Sequence, residues 1–258
     1  MREPLQISVV TATFNSAATI VDTLRSVASQ TYENVEHIII DGASTDATLE
    51  LVKAHIERVA KCVSERDCGI YDAMNKGWRQ ATGDVIGFLN SDDVYASDDA
   101  LDLIAAAFSD ESIDACYGDL VYVAREDVNK HIRYWRSCSF QAGLCARGWQ
   151  PPHPTLYVRR SAFERFGGFD LTYKIQSDFE FCLRMLEVAR LQSVYIPRLL
   201  VKMRTGGVSN ASIRNIIRGN LEALDACRKN GVRAAPAFVV RKIVSKIPQY
   251  FSRPPAID

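Results

Sequence analysis

The chain has 258 residues, carries 31 basic and 31 acidic side chains for a formal net charge of zero, and is 47% hydrophobic. Neutral charge argues against a general nucleic-acid binder, and the apolar content is enough for a sizeable core and too high for a disordered chain. Seven cysteines, an odd number with no CxxC pair, fit neither a disulfide framework nor a zinc site, and no run of about 18 apolar residues is present to span a membrane.

The chain passes from Pro4 straight into a strand pattern with no signal peptide, so a cytoplasmic protein with reduced thiols is expected. Leu5–Ala12 is short, apolar and β-branched, as a central parallel strand would be. Asn15 and Ser16 can cap a helix with Ile20, Leu24 and Val27 at helical spacing. Val35–Ile40 reads as a second buried strand, ending at Asp41. Ser44, Thr45 and Asp46 offer caps for a helix carrying Leu49, Leu51, Val52 and Ile56. Ala60–Ser64 suits a short third strand. Gly69–Ala81 suits a helix, with Gly83 as its stop. Val85–Leu89 is a strand that runs into Asn90-Ser91-Asp92-Asp93, and Ser97, Asp98 and Asp99 supply the start of the next helix. This β-α-β-α punctuation implies a parallel sheet covered by helices. No G-x-G-x-x-G follows the first strand and no Walker A motif occurs, which weakens dinucleotide and P-loop readings.

The rhythm changes after about residue 110. Ala115–Val123 and Ile132–Trp135 look like strands on either side of a charged turn, Arg125-Glu126-Asp127. Gln150–Pro154 is a loop stiffened by prolines. Thr155–Val158 is another strand, Gly167–Asp170 a turn and Ser177–Ala189 a helix. Val194–Met203 reads as a strand broken at Pro197, and Thr205–Ser209 as a flexible loop. A polar helix is expected from Ser212 to Asn230. Residues 1–210 are expected to form a catalytic domain and 211–258 a C-terminal helical extension. In that extension Ala237, Phe238, Val239, Val240, Ile243, Val244, Ile247, Tyr250 and Phe251 alternate with basic residues. Such a segment can dock on the catalytic domain or lie in the headgroup region of an anionic bilayer.

Parallel strands present their carboxyl ends along one edge, where open α/β sheets bind ligands. That edge would gather Thr11 and Thr13, Asp41, and Asn90 to Asp93. Asp92 and Asp93 suit a hard divalent ion that also holds phosphates; the bland alternative is a cap for the next helix. Asp41 can accept from a base or a ribose, or close the Gly42-Ala43-Ser44 turn. Lys76 can reach a diphosphate or be a solvated surface charge. His153 can orient acceptor or diphosphate, or be an ordinary loop residue. Arg204 can clamp a diphosphate, whose geometry a guanidinium matches, or be a surface arginine.

The stretches DGASTDAT, RDCGIYDAMNKG and ATGDVIGFLNSDD, met in that order, resemble the family 2 glycosyltransferases. The resemblance covers about residues 5 to 210 and is greatest to bacterial members that build exopolysaccharide and lipopolysaccharide, of the colanic-acid type. It implies a GT-A fold, a nucleotide-binding parallel βαβ half followed by a mixed-sheet acceptor half. It also implies a nucleoside-diphosphate sugar donor (a UDP- or GDP-sugar), Mn²⁺ or Mg²⁺, and inversion at the anomeric carbon. The acceptor would be a hydroxyl of a glycan or lipid-linked glycan in cell-surface polysaccharide biosynthesis, with peripheral contact at the cytoplasmic face of the inner membrane. By the same resemblance Thr11 and Asp41 contact the nucleoside, and Asp67 and Lys76 lie near base, ribose or phosphates. Asn90 and Asp92 meet ribose or sugar, and Asp93 is the metal ligand. The pattern departs at Asn90 and Gly42, where the family often has Asp. Gln176-Ser177-Asp178-Phe179-Glu180 resembles the family's acidic pair, with Ser177 in place of the usual Glu. An inverting transfer needs a base for the acceptor hydroxyl; Asp178 is the matching acid and Glu180 the second choice. Asp178 can also serve merely as a negative charge at a helix start. Two rivals remain open here: a nucleotide-sugar-binding protein without catalysis, and a sugar nucleotidylyltransferase, which would carry a Gly-rich basic loop where Thr11–Ser16 stands.

Overall fold

The computed structural model describes residues 4–206 and 212–254. Strand β1 (Ile7–Thr13) is buried along its whole length and lies inside a parallel run. The order there is β3 (Val59–Ser64), β2 (Val35–Asp41), β1, β4 (Val85–Phe88). Register pairs Thr13 with Asp41, Asp41 with Ser64, and Val10 with Phe88, so the carboxyl ends come out side by side. Helices α1 (Ile20–Ala28), α2 (Thr48–Ala54) and α3 (Ile70–Gln80) connect the strands. The α3 face of Ala73, Met74 and Gly77 is buried. A Cβ at Gly77 would lie 2.2 Å from Val10 Cγ1, so only glycine allows this helix to approach β1 so closely.

The second half makes the sheet mixed. β8 (Tyr157–Arg159) is antiparallel to β4, and β6 (Ala115–Ala124) is antiparallel to β8. β9 (Ser193–Arg204) runs parallel to β6. β7 (Asp127–Trp135) forms a hairpin with β6, and β5 (Val94–Tyr95) is antiparallel to β9. The fold class is α/β of the mixed, GT-A type. Helices α4 (Ala100–Ala107), α5 (Arg160–Phe166) and α6 (Ser177–Cys182) fill the connections. The α6 segment continues over Leu183–Val188 with wider, π-type turns.

Four expectations are corrected. Gly83 is no helix stop: α3 ends at Gln80. Its N–H donates to Ser8 Oγ at 3.0 Å, and a Cβ there would meet that oxygen at 2.6 Å. Pro197 does not break β9; the β6–β9 register shifts between Tyr117 and Asp119, and the proline sits at that irregularity, where no ladder N–H is required. Helix α2 stops before Ile56, which is 56% exposed. Strand β5 and helix α5 are additions; two residues of strand carry no periodic signal.

The C-terminal segment contributes α7 (Ile213–Lys229) and α8 (Phe238–Val244). Ala223, Ala226, Cys227 and Phe238 share one core with Cys145, Tyr173, Phe179 and Leu183. The Phe179 and Phe238 rings meet at 5.9 Å, edge to face. The segment is therefore packed on α6. Of the expected loop Thr205–Ser209, positions 207–209 lie outside the described residues, as does the expected boundary at 210–211.

Candidate active site

The strand-end loops are tied to one another. Asn15, at φ 49°, accepts from Thr45 N–H through Oδ1 at 2.9 Å, and its own N–H donates to Ser44 Oγ at 2.8 Å. Ala43 has φ 64°, a conformation that costs a residue with a Cβ about 1 kcal/mol or more and gathers at functional sites. Asp41 is fully buried and accepts from Ser44 N–H at 3.0 Å and Ser64 Oγ at 2.6 Å. Its carboxylate closes the Gly42–Ser44 turn. Asp67 Oδ1 accepts from Gly69 N–H at 2.9 Å. A Cβ at position 42 would stand 2.5 Å from Asp67 Oδ2, which explains the glycine at 42: the Asp67 carboxylate takes the space a side chain would need.

Three of the expected donor-site residues at this end already have partners within the fold. Thr11 is fully buried and its hydroxyl is hydrogen-bonded to His37 Nε2 at 2.9 Å. It faces the interior because it lies two residues short of the strand end. Thr13 occupies that end, and its buried Oγ1 has no partner among the described residues. Lys76 is held by Glu65 at 2.9 Å and the Arg66 carbonyl at 2.6 Å, so it braces the loop before α3. Arg204 is 6% exposed. Its guanidinium donates to the Arg125 carbonyl at 3.0 Å, the Asp92 carbonyl at 2.7 Å and Asp22 Oδ2 at 2.5 Å. Buried donors must be satisfied, and these internal acceptors hold Arg204 behind the acidic loop.

Asp92 is half-buried and Asp93 fully buried. Asp93 accepts from Asn90 Nδ2 at 3.1 Å and Arg204 N–H at 3.3 Å. Asp93 therefore also braces the loop that carries it. Burial pushes both carboxyls up, and for Asp93, held well above the usual range, the neighbouring Asp92 adds to the effect. A bound cation would reverse that shift. The donor set suits a hard divalent ion: two adjacent carboxylates and the buried Asn90 Oδ1, which has no partner. Among the described residues no cluster of three or more His, Cys, Asp or Glu converges, so phosphate oxygens would have to complete the coordination.

Asp178 is the second residue of α6. Gln150 Nε2 donates to its Oδ2 at 3.1 Å, and Phe179 N–H to its Oδ1 at 2.8 Å. The Tyr71 hydroxyl, 2.9 Å from the Ile175 carbonyl, stands 3.3 Å from Oδ1. His153 is 8% exposed, with both ring nitrogens unpartnered. It is stacked on Phe88 at 5.7 Å and edge-on to Phe169 at 5.4 Å. Burial holds its pKa below the ordinary value while Asp178 opposes the shift. Glu180, the second choice for base, is corrected. It is 3% exposed and bound to Arg184 at 2.8 Å, and Arg184 in turn donates to the Phe166 and Gly167 carbonyls at 2.6 and 3.2 Å. That pair fixes the turn before Phe169.

Two residues escaped the sequence reading. Gln150 looked like part of a stiff loop, and its Oε1 is another buried acceptor without a partner. Tyr122 stood inside a strand pattern. Burial raises its phenol pKa, Arg133 opposes this, and both Asp93 and Asp178 add to it. Among the described residues, buried polar atoms without a partner belong to Thr13, Asn90, Gln150 and His153, and also to Ser137, Glu187 and Gln249; such groups demand explanation.

A mixed α/β sheet with an acidic pair just beyond the carboxyl end of its parallel strands is the architecture of a glycosyltransferase of the GT-A class. The chain belongs to Glycosyl transferase family 2, whose model matches residues 8–169. It is 27% identical over 253 residues to a PGL/p-HBAD biosynthesis glycosyltransferase of Mycobacterium bovis, covering 93% of this chain and 92% of that one. It is 36% identical over 92 residues to WfaP of Escherichia coli, a UDP-Glc:α-D-GlcNAc-diphosphoundecaprenol β-1,3-glucosyltransferase, covering 35% of this chain and 37% of that one. Its fold is that of the mannosyltransferase PcManGT of Pyrobaculum calidifontis, solved with GDP-Man and Mn²⁺. The TM-score is 0.68 at 21% identity, over 95% of this chain and 70% of that one.

Proposed function

We propose that this protein is an inverting, metal-assisted glycosyltransferase that moves one sugar from a UDP- or GDP-sugar to a hydroxyl of a lipid-linked glycan in cell-surface polysaccharide assembly. The observation that carries the reading is the acidic pair Asp92-Asp93 beyond the carboxyl end of β4, where Asn90 binds Asp93 and keeps its buried Oδ1 without a partner among the described residues. An inverting displacement needs a donor site and a base on opposite sides of one anomeric carbon. In this reading Asp178 takes the proton of the acceptor hydroxyl as its oxygen bonds to the anomeric carbon and the bond to the diphosphate breaks. Gln150 and Tyr71 fix the carboxylate that does so. Thr13 and Asn90 offer polar atoms to ribose or sugar hydroxyls. Asp92 and Asp93 would hold Mn²⁺ or Mg²⁺, which neutralises charge on the leaving diphosphate. The donor named for WfaP and the ligands solved with PcManGT support this assignment, and the acceptor named for WfaP supports a lipid-linked glycan.

Peripheral contact with the cytoplasmic face of the inner membrane belongs to the same proposal. Among the described residues no helix is long and apolar enough to cross a membrane. Val240, Ile243, Val244, Ile247, Tyr250 and Phe251 are nevertheless between 49% and 84% exposed, among basic side chains that anionic lipid would attract. A panel of UDP- and GDP-sugars with Mn²⁺, read by nucleotide release and by the anomeric configuration of the product, tests the reaction. No turnover with any donor, or a product that retains configuration, would overturn the corresponding part of the reading.

A further inference from the structure

Arg133, on β7, is 7% exposed. Its guanidinium lies 4.0 Å from the centre of the Tyr122 ring and 5.7 Å from that of Tyr250. No carboxylate pairs with it among the described residues. A buried charge without a counter-ion is costly, so Arg133 is placed for an anion that arrives from outside.

The surroundings share that sign. A groove of about 700 Å³ runs between β7 and the C-terminal segment, bordered by Asn129, His131, Arg133, Lys202, Tyr250 and Arg253, and among the described residues no acidic side chain lines it. α8 and the turn after it add two further basic side chains, Lys242 and Lys246. Lys242 Nζ donates to Gln176 Oε1 at 2.5 Å and lies 5.0 Å from the centre of the Phe179 ring. Burial pushes its pKa down to about 8, and Asp178 opposes that shift. Lys246 feels both Arg133 and Asp178. Gln176, which Lys242 binds, immediately precedes α6 and lies two residues before Asp178, which places Lys242 beside the candidate base.

We infer that Arg133, with Lys242 and Lys246, binds a phosphate group on the acceptor, next to the sugar whose hydroxyl meets Asp178. The inference deepens the proposed function and rests on its assignment of the Asp178 side to the acceptor. The ligand is a phosphate ester or diphosphate. Two sources present it: a lipid-linked glycan, whose chain would continue along the exposed Ile243, Ile247 and Phe251, or a free sugar phosphate.

Binding to the full chain tests this without any transfer step, so it can fail while the transferase reading stands and succeed if that reading falls. Calorimetric titrations would use farnesyl diphosphate, farnesol and inorganic pyrophosphate in EDTA, which keeps metal from drawing the anions to the acidic pair. Farnesyl diphosphate is expected to bind and farnesol is not. Arg133→Gln should weaken diphosphate binding about tenfold or more, the scale of charge-assisted hydrogen bonds. Lys246→Glu, on an exposed side chain, should weaken it too and does not threaten folding. UDP and GDP affinities measured with Mn²⁺ should stay unchanged in both variants. Much tighter binding of farnesyl diphosphate than of pyrophosphate identifies the lipid-linked source, and equal binding identifies the free phosphate. Diphosphate affinity indifferent to both substitutions overturns the proposal. So does a parallel loss of nucleotide affinity, which would assign Arg133 to the donor.

Discussion

Gln150 Nε2 donates to Asp178 Oδ2 at 3.1 Å, which fastens the proline loop to the start of α6. The carboxylate that the proposed reaction uses as base is thereby fixed from a loop 28 residues upstream. Asp178→Asn keeps the shape and removes the basicity. Single-turnover rates should fall about 10²–10⁴-fold with nucleotide affinity nearly unchanged. Gln150→Leu should lower the rate less and leave the fold stable. Near-normal turnover of the asparagine variant would remove Asp178 from the mechanism.

The acidic pair should split into two roles. Asp92→Ala is expected to lose Mn²⁺-dependent transfer with stability within about 0.5 kcal/mol, since Asp92 is not core. Asp93→Ala strands Asn90 Nδ2 and the Arg204 N–H, at about 1–3 kcal/mol of stability. Manganese titration followed by electron paramagnetic resonance, together with thermal unfolding, separates them. Full activity of the wild type in EDTA would reject metal assistance.

Arg204→Met should lower the melting temperature and leave nucleotide affinity largely intact, because the guanidinium is bound to the Asp92 and Arg125 carbonyls and to Asp22. Loss of nucleotide binding at constant stability would restore Arg204 as a diphosphate clamp.

Acid should destabilise the protein through His37. Burial pushes this imidazole from 6.5 down to about 3, so it stays neutral in the fold where the unfolded chain already binds a proton. Its contribution is complete above pH ~6.5 and is lost as pH falls toward ~3, at no more than about 1.4 kcal/mol per pH unit. His153 acts in the same direction. His37→Gln should flatten melting temperature against pH between about 6.5 and 4, and an unchanged slope would contradict this account.

Deleting the tail from Val232 would be a poor test of membrane contact, because Phe238 belongs to the core shared with Phe179. Ile243→Gln with Ile247→Gln changes exposed positions only. That pair should reduce pelleting with anionic vesicles while the melting temperature holds. Equal pelleting of both forms, or none by either, would count against the proposal.

The parallel half was legible in the sequence because its signals are local. Short β-branched runs such as Ile38–Ile40 read as buried strands, and acids that follow a strand such as β4 by a few residues fall at the ligand-binding edge. The motifs beside them identified the family for the same reason, since each is a contiguous stretch. The partners of each polar group were decided by tertiary structure. Thr11 and Thr13 differ by one turn of strand alternation, yet one is bonded to His37 and the other ends open. Arg204 and Glu180 looked like binding or catalytic groups until Asp92, Asp22 and Arg184, distant or a helical turn away, claimed their hydrogen bonds. Gln150, Tyr122 and Arg133 carried no motif. Their roles arise only where β6, β7 and the proline loop meet α6 and α8, because electrostatic fields and hydrogen bonds act across space and composition along the chain does not record them.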